Sequence, residues 1–291
     1  MREMLQVVGK VAAHDVPLLI IGESGSGKNY LAAAVHQMGE RGEAPFVHIE
    51  CASIPPDLFE SELFGYEKGT FTDAQTRKLG KLELSAEGTV YFDEIAALAP
   101  NLQAKLLRAI EERRFTRLGG GQDVPFRARV ISSTASNIDS LVASNDFRRD
   151  LLYRINVVTI RLPALRERRE DIPVLAAEFL NGRKIDSDAV DILCRHSWPG
   201  NIRELRNVLE RAALLEDSDS IRAAALPLEQ VGGAKQLVSA AVYDQWTLER
   251  LEENYIREVL LQTHNNYSRT AEILGINRKT LLEKRRKYGI E

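Results

Sequence analysis

Seven residues near the beginning of the chain form a pattern that can bind phosphate. They read Gly22-Glu-Ser-Gly-Ser-Gly-Lys28, between an apolar run that ends at Ile21 and a helical pattern that begins at Tyr30. In such a strand–loop–helix the glycines let backbone N–H groups face an anion, and the helix N-terminus and the lysine add positive charge. A glycine-rich turn without nucleotide is the alternative. The residues assigned to the nucleotide are Gly22, Glu23, Ser24, Gly25, Ser26, Gly27, Lys28 and Asn29.

Two acidic residues at the end of a predicted strand give a second nucleotide signal. The run Thr89-Val-Tyr-Phe-Asp93-Glu94 is apolar until its last two residues, about 65 residues after the glycine-rich loop. Ligands of open α/β folds bind at the carboxyl ends of strands. Asp93 is therefore predicted to hold Mg²⁺, directly or through water, and Glu94 to orient or deprotonate a water that attacks phosphate. A strand followed by an acidic helix cap is the alternative. Asn29 stands where the general loop motif has a Ser or Thr that contacts Mg²⁺.

Length and composition exclude several classes of protein. A chain of 291 residues predicts roughly two domains of about 150 residues, and its 44% hydrophobic content is sufficient for a sizeable core. The net charge of −3 argues against a globally basic chain, so a DNA-binding surface must be local. Cys51 and Cys194 lack metal-ligand spacing, which indicates reduced thiols in a cytoplasmic protein. We expect no membrane contact, because the sequence shows neither a signal peptide nor an apolar run of about 18 residues.

The elements needed to position these residues follow from the periodicity of the apolar side chains. The pattern of residues 4–12 predicts an amphipathic helix. Residues 16 to about 163 alternate between apolar runs and helical patterns, and this alternation predicts a parallel α/β sheet with helices on both faces. The predicted strands are Pro17–Ile21, Phe46–Glu50, Thr89–Phe92, Arg129–Ser133 and Val157–Leu162. The predicted helices are Asn29–Gly39, Pro56–Phe64, Asn101–Glu112 and Ile138–Val142.

The rest of the chain divides into three parts. Residues 166–216 predict an all-helical subdomain after the α/β subdomain of residues 1–165. Residues 217–245 are weakly periodic, contain Gly232-Gly233 and are predicted to be a linker. Residues 246–291 are predicted to form a separate all-α domain.

The last segment has the pattern of a helix-turn-helix. Residues 264–291 carry seven Lys or Arg against three Asp or Glu, so this end is locally basic. The periodicity of Thr247–Gln262 predicts an amphipathic helix, and Gly275 is the glycine expected in the turn of the motif. Asn277 is positioned to cap the helix that follows the turn, and this helix would enter the major groove of double-stranded DNA. A solvated basic helix is the alternative. The residues assigned to DNA are Asn277 with Arg278, Lys279 and Thr280 near the bases, and Lys284, Arg285 and Lys287 at phosphates.

Several longer motifs give the chain a resemblance to a known family. It resembles the AAA+ activators of sigma-54 RNA polymerase, the bacterial enhancer-binding proteins with a C-terminal Fis-type helix-turn-helix, from about residue 4 to the C-terminus. Besides the two nucleotide motifs, the resemblance rests on the stretches 60–65, 69–74, 147–151, 162–168 and 198–205, which read ESELFG, GTFTDA, FRRDL, LPALRER and WPGNIREL. It implies an AAA+ P-loop fold with a helical lid subdomain, and ATP with Mg²⁺ as cofactors.

The resemblance also implies roles for particular residues. Arg148 and Arg154 match the family's arginine fingers, which reach the γ-phosphate bound by a neighbouring subunit and typically raise turnover by about 10³–10⁵. This chemistry implies a ring, usually a hexamer, with dimeric DNA-binding domains. Arg203 matches the second sensor of the lid. The alternative from composition is that Arg148, in an Arg-Arg-Asp sequence, is a solvated charge.

The stretch Gly69–Ala74 corresponds to the family's signature loop, which usually reads GAFTGA. Phe71 and Thr72 match the residues that contact sigma-54, and an exposed Phe on a loop is a natural contact for a partner protein. Thr70 replaces the family's alanine and Asp73 its second glycine. The alternative for Phe71 is packing beneath its own loop.

Two further departures lie near the hydrolysis chemistry. Glu50 stands where the family usually has an Asn that restrains the catalytic glutamate, and a carboxylate facing Glu94 would repel it. Ala135, after Thr134, replaces the Asn of the first sensor. These departures bear on hydrolysis more than on nucleotide binding.

The sequence predicts an ATP-dependent transcriptional regulator, an ATPase whose ring remodels the sigma-54 RNA polymerase holoenzyme while its C-terminal domain holds DNA. The alternative is a DNA-binding regulator of the same family that binds nucleotide and no longer engages sigma-54. A AAA+ helicase or chelatase leaves residues 65–74 and 246–291 unexplained. Because the glycine-rich loop begins at residue 22, regulatory input is expected from a separate protein or from a segment outside these residues.

Overall fold

A five-stranded parallel sheet is the centre of the first of two units, residues 1–226 and 227–291. The computed structural model describes residues 2–71, 74–216, 218, 220–228, 246–263 and 266–290. The strand order is β2-β5-β8-β1-β9, and every neighbouring pair is parallel. These strands are β1 Leu18–Ile21, β2 Phe46–Glu50, β5 Thr89–Asp93, β8 Arg129–Thr134 and β9 Val158–Arg161. The five predicted strands are therefore confirmed, with ends that differ by at most one residue.

Helices cover both faces of the sheet, as the alternation predicted. Leu19, Val90 and Phe92 belong to a core with α3, α5 and α7, whereas Leu18 and Ile20 belong to a second core with α1 and α2. Successive strand residues point to opposite faces, so each buried strand supplies both cores. The helices of this part are α1 Arg2–Ala12, α2 Lys28–Gln37, α3 Pro56–Phe64, α4 Lys81–Leu84, α5 Pro100–Glu112, α6 Ile138–Ala143 and α7 Arg149–Ile155.

Two short antiparallel hairpins project from the sheet-and-helix layers. The first joins β3 Gly65–Tyr66 to β4 Lys78–Leu79 and contains the signature loop. The second joins β6 Arg114–Thr116 to β7 Asp123–Pro125. Leu118 of the second hairpin forms a β-bridge with Tyr66 of the first, so the two hairpins touch.

The lid that follows is helical, with one correction to the predicted pattern. Its helices are α8 Ile172–Phe179, α9 Ser187–Arg195 and α10 Asn201–Leu215. The expectation that residues 166–215 are helical throughout is wrong at β10 Lys184–Ile185, which pairs in parallel with β11 Ser220–Ile221. Ile221 is fully buried, so residues near the start of the predicted linker pack with the first unit. Residues 229–245 of that linker lie outside the described residues.

The second unit has three described helices around a small apolar core. They are α11 Leu248–Gln262, α12 Tyr267–Ile273 and α13 Arg278–Tyr288, and their core includes Ile256, Leu260, Ala271, Leu281 and Ile290. Gly275 has a φ of 65°, which explains glycine in the turn. Among the helices that the model describes, none is long and apolar enough to cross a membrane.

Arg129 fastens the first helix to the sheet. It is the first residue of β8 and only 5% exposed. Its guanidinium donates hydrogen bonds to the carbonyl oxygens of Val11 at 2.8 Å, Ala12 at 3.3 Å and Val16 at 3.2 Å. These carbonyls include the last two of α1, which have no partner within the helix itself. Arg129 therefore compensates for the missing helical hydrogen bonds at the C-terminus of α1.

We expect Arg129→Ala to lower the free energy of unfolding of the first unit by about 3 kcal/mol, because it removes the side-chain donor from the carbonyl groups of Ala12 and Val16, whereas the Val11 carbonyl keeps the N–H of His14. Urea unfolding followed by the fluorescence of buried Trp198, with Trp246→Phe to remove the second signal, measures the loss. Arg127→Ala is the matched control, since its ion pair with Glu87 is exposed and should contribute less than about 1 kcal/mol. Equal midpoints for the two variants would contradict the role of Arg129.

Candidate nucleotide site and DNA-binding surface

The glycine-rich loop lies at the carboxyl edge of the sheet, between β1 and α2. Gly25 and Gly27 have φ angles of 72° and 106°, which favour glycine and turn the loop toward Lys28 at the start of α2. Lys28 is 5% exposed. Its Nζ donates to the carbonyl oxygen of Gly22 at 3.0 Å and forms an ion pair with Glu94 Oε1 at 3.0 Å. The predicted phosphate-binding lysine and the predicted catalytic carboxylate are thus in direct contact.

Asp93 lies at the end of β5 in a network of polar side chains. Ser133 Oγ donates to Asp93 Oδ1 at 2.6 Å, and Tyr91 Oη lies 3.1 Å from the same oxygen and 2.9 Å from Asn29 Oδ1. His48 Nε2 is 3.7 Å from Asp93 Oδ2. Burial raises the pKa of Asp93, but the polar groups of His48, Ser133, Tyr91 and Asn29 outweigh burial and hold this pKa well below its ordinary value. Asp93 is therefore charged at neutral pH.

This network fits a magnesium ion that arrives with a nucleotide. Mg²⁺ prefers oxygen ligands and is usually held by one or two carboxylates together with phosphates and waters. Asp93 supplies a charged carboxylate, and Tyr91 joins it to the amide oxygen of Asn29. Within the described part of the chain, no group of three or more His, Cys, Asp or Glu could hold a metal ion by itself. The chemistry of the donors thus favours phosphate-assisted binding of the ion.

Glu94 is held from two sides. It has a φ of 54°, and its Oε2 accepts a hydrogen bond from the backbone N–H of Ala135 at 2.9 Å, while Oε1 contacts Lys28. The carboxylate of Glu50 is exposed and accepts a hydrogen bond from Ser53 Oγ at 2.8 Å. Each carboxylate therefore has polar partners of its own, Ser53 for Glu50 and Lys28 with the Ala135 N–H for Glu94.

The lid supplies the other wall of the site. Arg203, in the first turn of α10, donates from Nη1 to Ser24 Oγ at 3.1 Å. A cavity of about 250 Å³ opens between the lid and the sheet edge, and its lining includes Lys28, Asn29, Asp93, Glu94 and Arg203. The structure thus brings together predicted site residues from three distant segments of the sequence.

A buried asparagine joins the loop to the lid. Asn201 is fully buried with a φ of 54°, and its Nδ2 donates to Glu23 Oε2 at 3.0 Å and to the Ser24 carbonyl at 3.1 Å. Glu23 also forms an ion pair with Arg166, whose hydrogen bond holds the pKa of Glu23 below its ordinary value. At Gly25 an added Cβ would lie 2.4 Å from the Gly200 carbonyl oxygen, so the loop and the lid are in close contact.

The two predicted finger arginines lie away from this cavity. Arg148 caps the start of α7, where its guanidinium pairs with Asp150 at 2.7 Å and its N–H donates to Gln103 Oε1 at 2.8 Å. Arg154 is exposed in the last turn of the same helix. Neither is among the described residues that line the cavity. Both are exposed and lie outside the lining of this cavity.

The signature loop presents its aromatic residue to solvent. Phe71 is 45% exposed and meets the ring of Tyr66 edge-on at 4.7 Å. The loop is closed by the hydrogen bond from Gly69 N–H to the Ala74 carbonyl at 2.8 Å. Phe71 therefore rests against a neighbouring ring and keeps an open face, rather than packing beneath its loop. Thr72 and Asp73 lie outside the described residues.

The predicted recognition helix begins with the expected cap. Asn277 Oδ1 accepts the hydrogen bond of Thr280 N–H at 2.8 Å, which confirms the capping prediction. Arg278 and Lys279 are exposed in the first turn of α13. This placement is the one that a helix reading base edges requires.

The three predicted phosphate contacts have partners within the second unit. Lys284 pairs with Glu252 of α11 at 2.7 Å, and Lys287 pairs with Glu249 at 2.6 Å. The guanidinium of Arg285 lies 4.6 Å from the centre of the Tyr267 ring. These contacts attach α13 to its neighbours, so the basic residues of the last turns also have a structural role.

Comparison with known proteins agrees with this arrangement of parts. Residues 1–161, more than half of the chain, match the Sigma-54 interaction domain. Residues 166–241 match the AAA+ ATPase lid domain, and residues 247–288 match the bacterial regulatory proteins of the Fis family. The chain belongs to the sigma-54-dependent AAA+ activators. This enhancer-binding protein thus carries an AAA+ ATPase domain with its lid and a Fis-type helix-turn-helix.

Individual relatives match the whole chain. The regulatory protein AtoC of Escherichia coli K12 is 42% identical, with 100% of this chain and 66% of AtoC covered. The response regulator PilR of Pseudomonas aeruginosa is 38% identical over 100% of the chain and 68% of PilR. NtrX from Brucella abortus in complex with ATP has a TM-score of 0.72 and 37% identity, over 100% of the chain and 68% of NtrX. The enhancer-binding protein spans about two thirds of the length of these relatives.

Sequence reasoning missed several residues that shape the site. Tyr91 and Ser133 attach Asp93 to Asn29, and Asn201 attaches the loop to the lid. Polar residues in otherwise apolar buried strands were the available signal for the first two, because a buried hydroxyl requires a partner. For Asn201, its position after Gly200 at the start of a predicted helix was the feature that could have indicated a structural role.

The helix-turn-helix of this enhancer-binding protein leads to a prediction about DNA. We expect Arg278→Ala to weaken binding to a duplex selected from a random library by about 10-fold or more and to reduce sequence preference, because the first turn of α13 is predicted to meet base edges. Lys284→Ala should weaken binding less, and equally for all sequences, since its ammonium group is paired with Glu252. Fluorescence anisotropy at several salt concentrations measures both effects.

Arg257→Ala is the matched control, since it removes one charge from an ion pair on α11. The assignment is wrong if Arg278→Ala and Arg257→Ala bind the selected and unrelated duplexes with the same affinities.

Proposed function

We propose that this chain hydrolyses ATP as a closed ring of subunits, such as a hexamer, and uses the hydrolysis to remodel the sigma-54 RNA polymerase holoenzyme. Its Fis-type domains would hold double-stranded DNA as dimers while the ring acts in the cytoplasm. The ATPase, lid and DNA-binding domains of the family support this proposal. The domain limits that we propose are 1–165, 166–216 and 246–291, with residues 217–245 as the linker.

The observation that carries the proposal is the separation of the phosphate-binding groups from the finger arginines. Lys28, Asp93, Glu94 and Arg203 line one cavity, whereas the exposed Arg148 stands at the N-cap of α7, outside that cavity. Charge that develops on a transferred phosphoryl group is stabilised by an arginine supplied in cis or in trans. Because Arg148 lies outside the cavity of its own chain, we assign this role to the Arg148 of a neighbouring subunit, which a ring would provide for every site.

Each group in the cavity has a distinct proposed task. The loop N–H groups, Lys28 and Arg203 bind the phosphates, and Asp93 with Asn29 would hold Mg²⁺, which neutralises phosphate charge when bound. Glu94 orients or deprotonates the attacking water, and the Ala135 N–H fixes one of its oxygens. The cavity thus offers the positioning and electrostatic stabilisation on which phosphoryl transfer depends.

The contact with sigma-54 is assigned to Phe71 and Thr72. The support is that Phe71 keeps an open face on a closed, glycine-flanked loop. The second candidate function, a regulator that binds nucleotide and DNA without engaging sigma-54, is favoured by Asp73 in that loop. The substitution Asp73→Gly distinguishes the two candidate functions. A gain of sigma-54 binding in this variant would show that the natural loop does not engage sigma-54.

Mixed rings test the shared site. Lys28→Ala should abolish nucleotide binding, and Arg148→Ala should bind nucleotide but lose about 10³-fold or more in turnover. Each inactive variant retains what the other lacks, so mixing them should restore a measurable fraction of the ATPase rate. Steady-state phosphate release, at protein concentrations where sedimentation shows an assembly, measures this recovery.

The control for that experiment is the double variant Lys28→Ala/Arg148→Ala, mixed in turn with each single variant. These mixtures should stay inactive at every ratio, because no site in them can have both Lys28 and an arginine at position 148 of the neighbouring subunit. Failure of the single variants to complement each other, while each still assembles with the wild type, would refute an arginine supplied in trans.

Substitution of the loop aromatic tests the remodelling claim. We expect Phe71→Ala to abolish open-complex formation at a sigma-54 promoter and to leave ATP turnover within about threefold, because its side chain lies outside the cavity. Potassium permanganate footprinting and phosphate release measure the two activities. Leu79→Ala, another exposed apolar residue in the same hairpin, should preserve both, and open complexes formed normally by Phe71→Ala would contradict the proposal.

A further inference from the structure

A threonine at the base of the signature loop makes contacts that alanine could not make. Thr70 Oγ1 lies 2.6 Å from the carbonyl oxygen of Glu67 and 3.0 Å from the carbonyl oxygen of Leu118. The first carbonyl belongs to the same loop, and the second belongs to the hairpin formed by β6 and β7. The hydroxyl group has one proton, which these two carbonyl oxygens share, and this shared hydrogen bond connects the base of the loop with the neighbouring hairpin.

The second hairpin has a glycine where the Thr70 side chain packs against it. Gly119 has a φ of 69°, and a Cβ added there would lie 2.3 Å from Thr70 Oγ1. Thus the space that a side chain at position 119 would use is filled by Thr70. On either side, Glu67 N–H donates to the Leu118 carbonyl and Leu118 N–H donates to the Gly65 carbonyl, each at 3.0 Å. The backbone contacts fix the register of the two segments, and Thr70 extends them to the residue before Phe71.

We propose that Thr70 is a positioning residue, whose hydroxyl fixes the direction in which Phe71 is presented by attaching the loop to the tip of the second hairpin. The part of this inference that concerns sigma-54 rests on the function proposed above, whereas the attachment itself does not. Thr70 touches no residue of the nucleotide cavity in these contacts, so it acts through the position of Phe71.

Two substitutions separate the hydroxyl from the bulk of the side chain. Thr70→Val keeps the branched shape and removes the donor, whereas Thr70→Ser keeps the donor and removes the methyl group. A neutral hydrogen bond of ordinary strength corresponds to roughly a fivefold change in an opening equilibrium. Thr70→Val should therefore open the loop about fivefold more often, and Thr70→Ser should resemble the wild type.

Limited proteolysis measures the attachment without any partner. Lys68 is exposed and directly precedes the loop, so trypsin cleavage after Lys68 reports how often the loop opens. Mass spectrometry should show about fivefold faster cleavage at this bond in Thr70→Val than in wild type or Thr70→Ser, with an unchanged thermal midpoint. Equal cleavage rates in all three proteins would overturn the proposal.

Binding to sigma-54 in the presence of a transition-state analogue of ATP hydrolysis measures the consequence. Thr70→Val should bind several-fold more weakly, Thr70→Ser should bind as the wild type does, and all three should hydrolyse ATP at similar rates. Equal sigma-54 affinities despite faster cleavage of Thr70→Val would overturn the positioning role. If no protein, including the wild type, binds sigma-54 while the cleavage difference is present, the attachment stands and the proposed sigma-54 function fails.

Discussion

The nucleotide site depends on the environment of one buried ammonium group. Lys28 is almost fully enclosed, and a buried charge is costly unless it is paired. Its partners are the Gly22 carbonyl and the Glu94 carboxylate, which come from the ends of neighbouring segments at the carboxyl edge of the sheet. The parallel order β5-β8-β1 brings these ends together. A different strand order would separate Lys28 from Glu94 and break this ion pair.

Contacts with the lid also hold the glycine-rich loop in place, on the side opposite the sheet. Glu23 accepts hydrogen bonds from Arg166 and Asn201, and the Ile202 N–H donates to the Gly25 carbonyl at 2.9 Å. A loop held on one side by the sheet and on the other by the lid has little freedom to move alone. A change in loop position therefore requires a change in lid position, which would give the proposed sensor role of Arg203 a physical basis.

Local patterns were enough to predict the sheet and the motifs that end its strands. The apolar runs of β1 and β5 and the glycine spacing before Lys28 are properties of short segments, so one sequence reveals them. What could not be predicted depends on contacts between distant segments. The hydroxyl of Thr70 contacts the carbonyl oxygen of Leu118, which lies 48 residues further along the chain. Lys284 of α13 likewise pairs with Glu252 of α11. Periodicity predicts on which face of a helix or strand a residue lies, but it does not predict which residue of another element contacts that face.

The departures at positions 50 and 135 show why geometry changes the meaning of a substitution. A carboxylate at position 50 would oppose Glu94 if the two faced each other, but Glu50 turns to Ser53. At position 135 the backbone N–H, which any residue except proline supplies, holds Glu94 without a side chain. The restraint on Glu94 thus falls to Ala135 N–H and Lys28. Because a phosphate that pairs with Lys28 would compete with Glu94 for the same ammonium group, the proposed roles directly link nucleotide binding to the freedom of the Glu94 carboxylate.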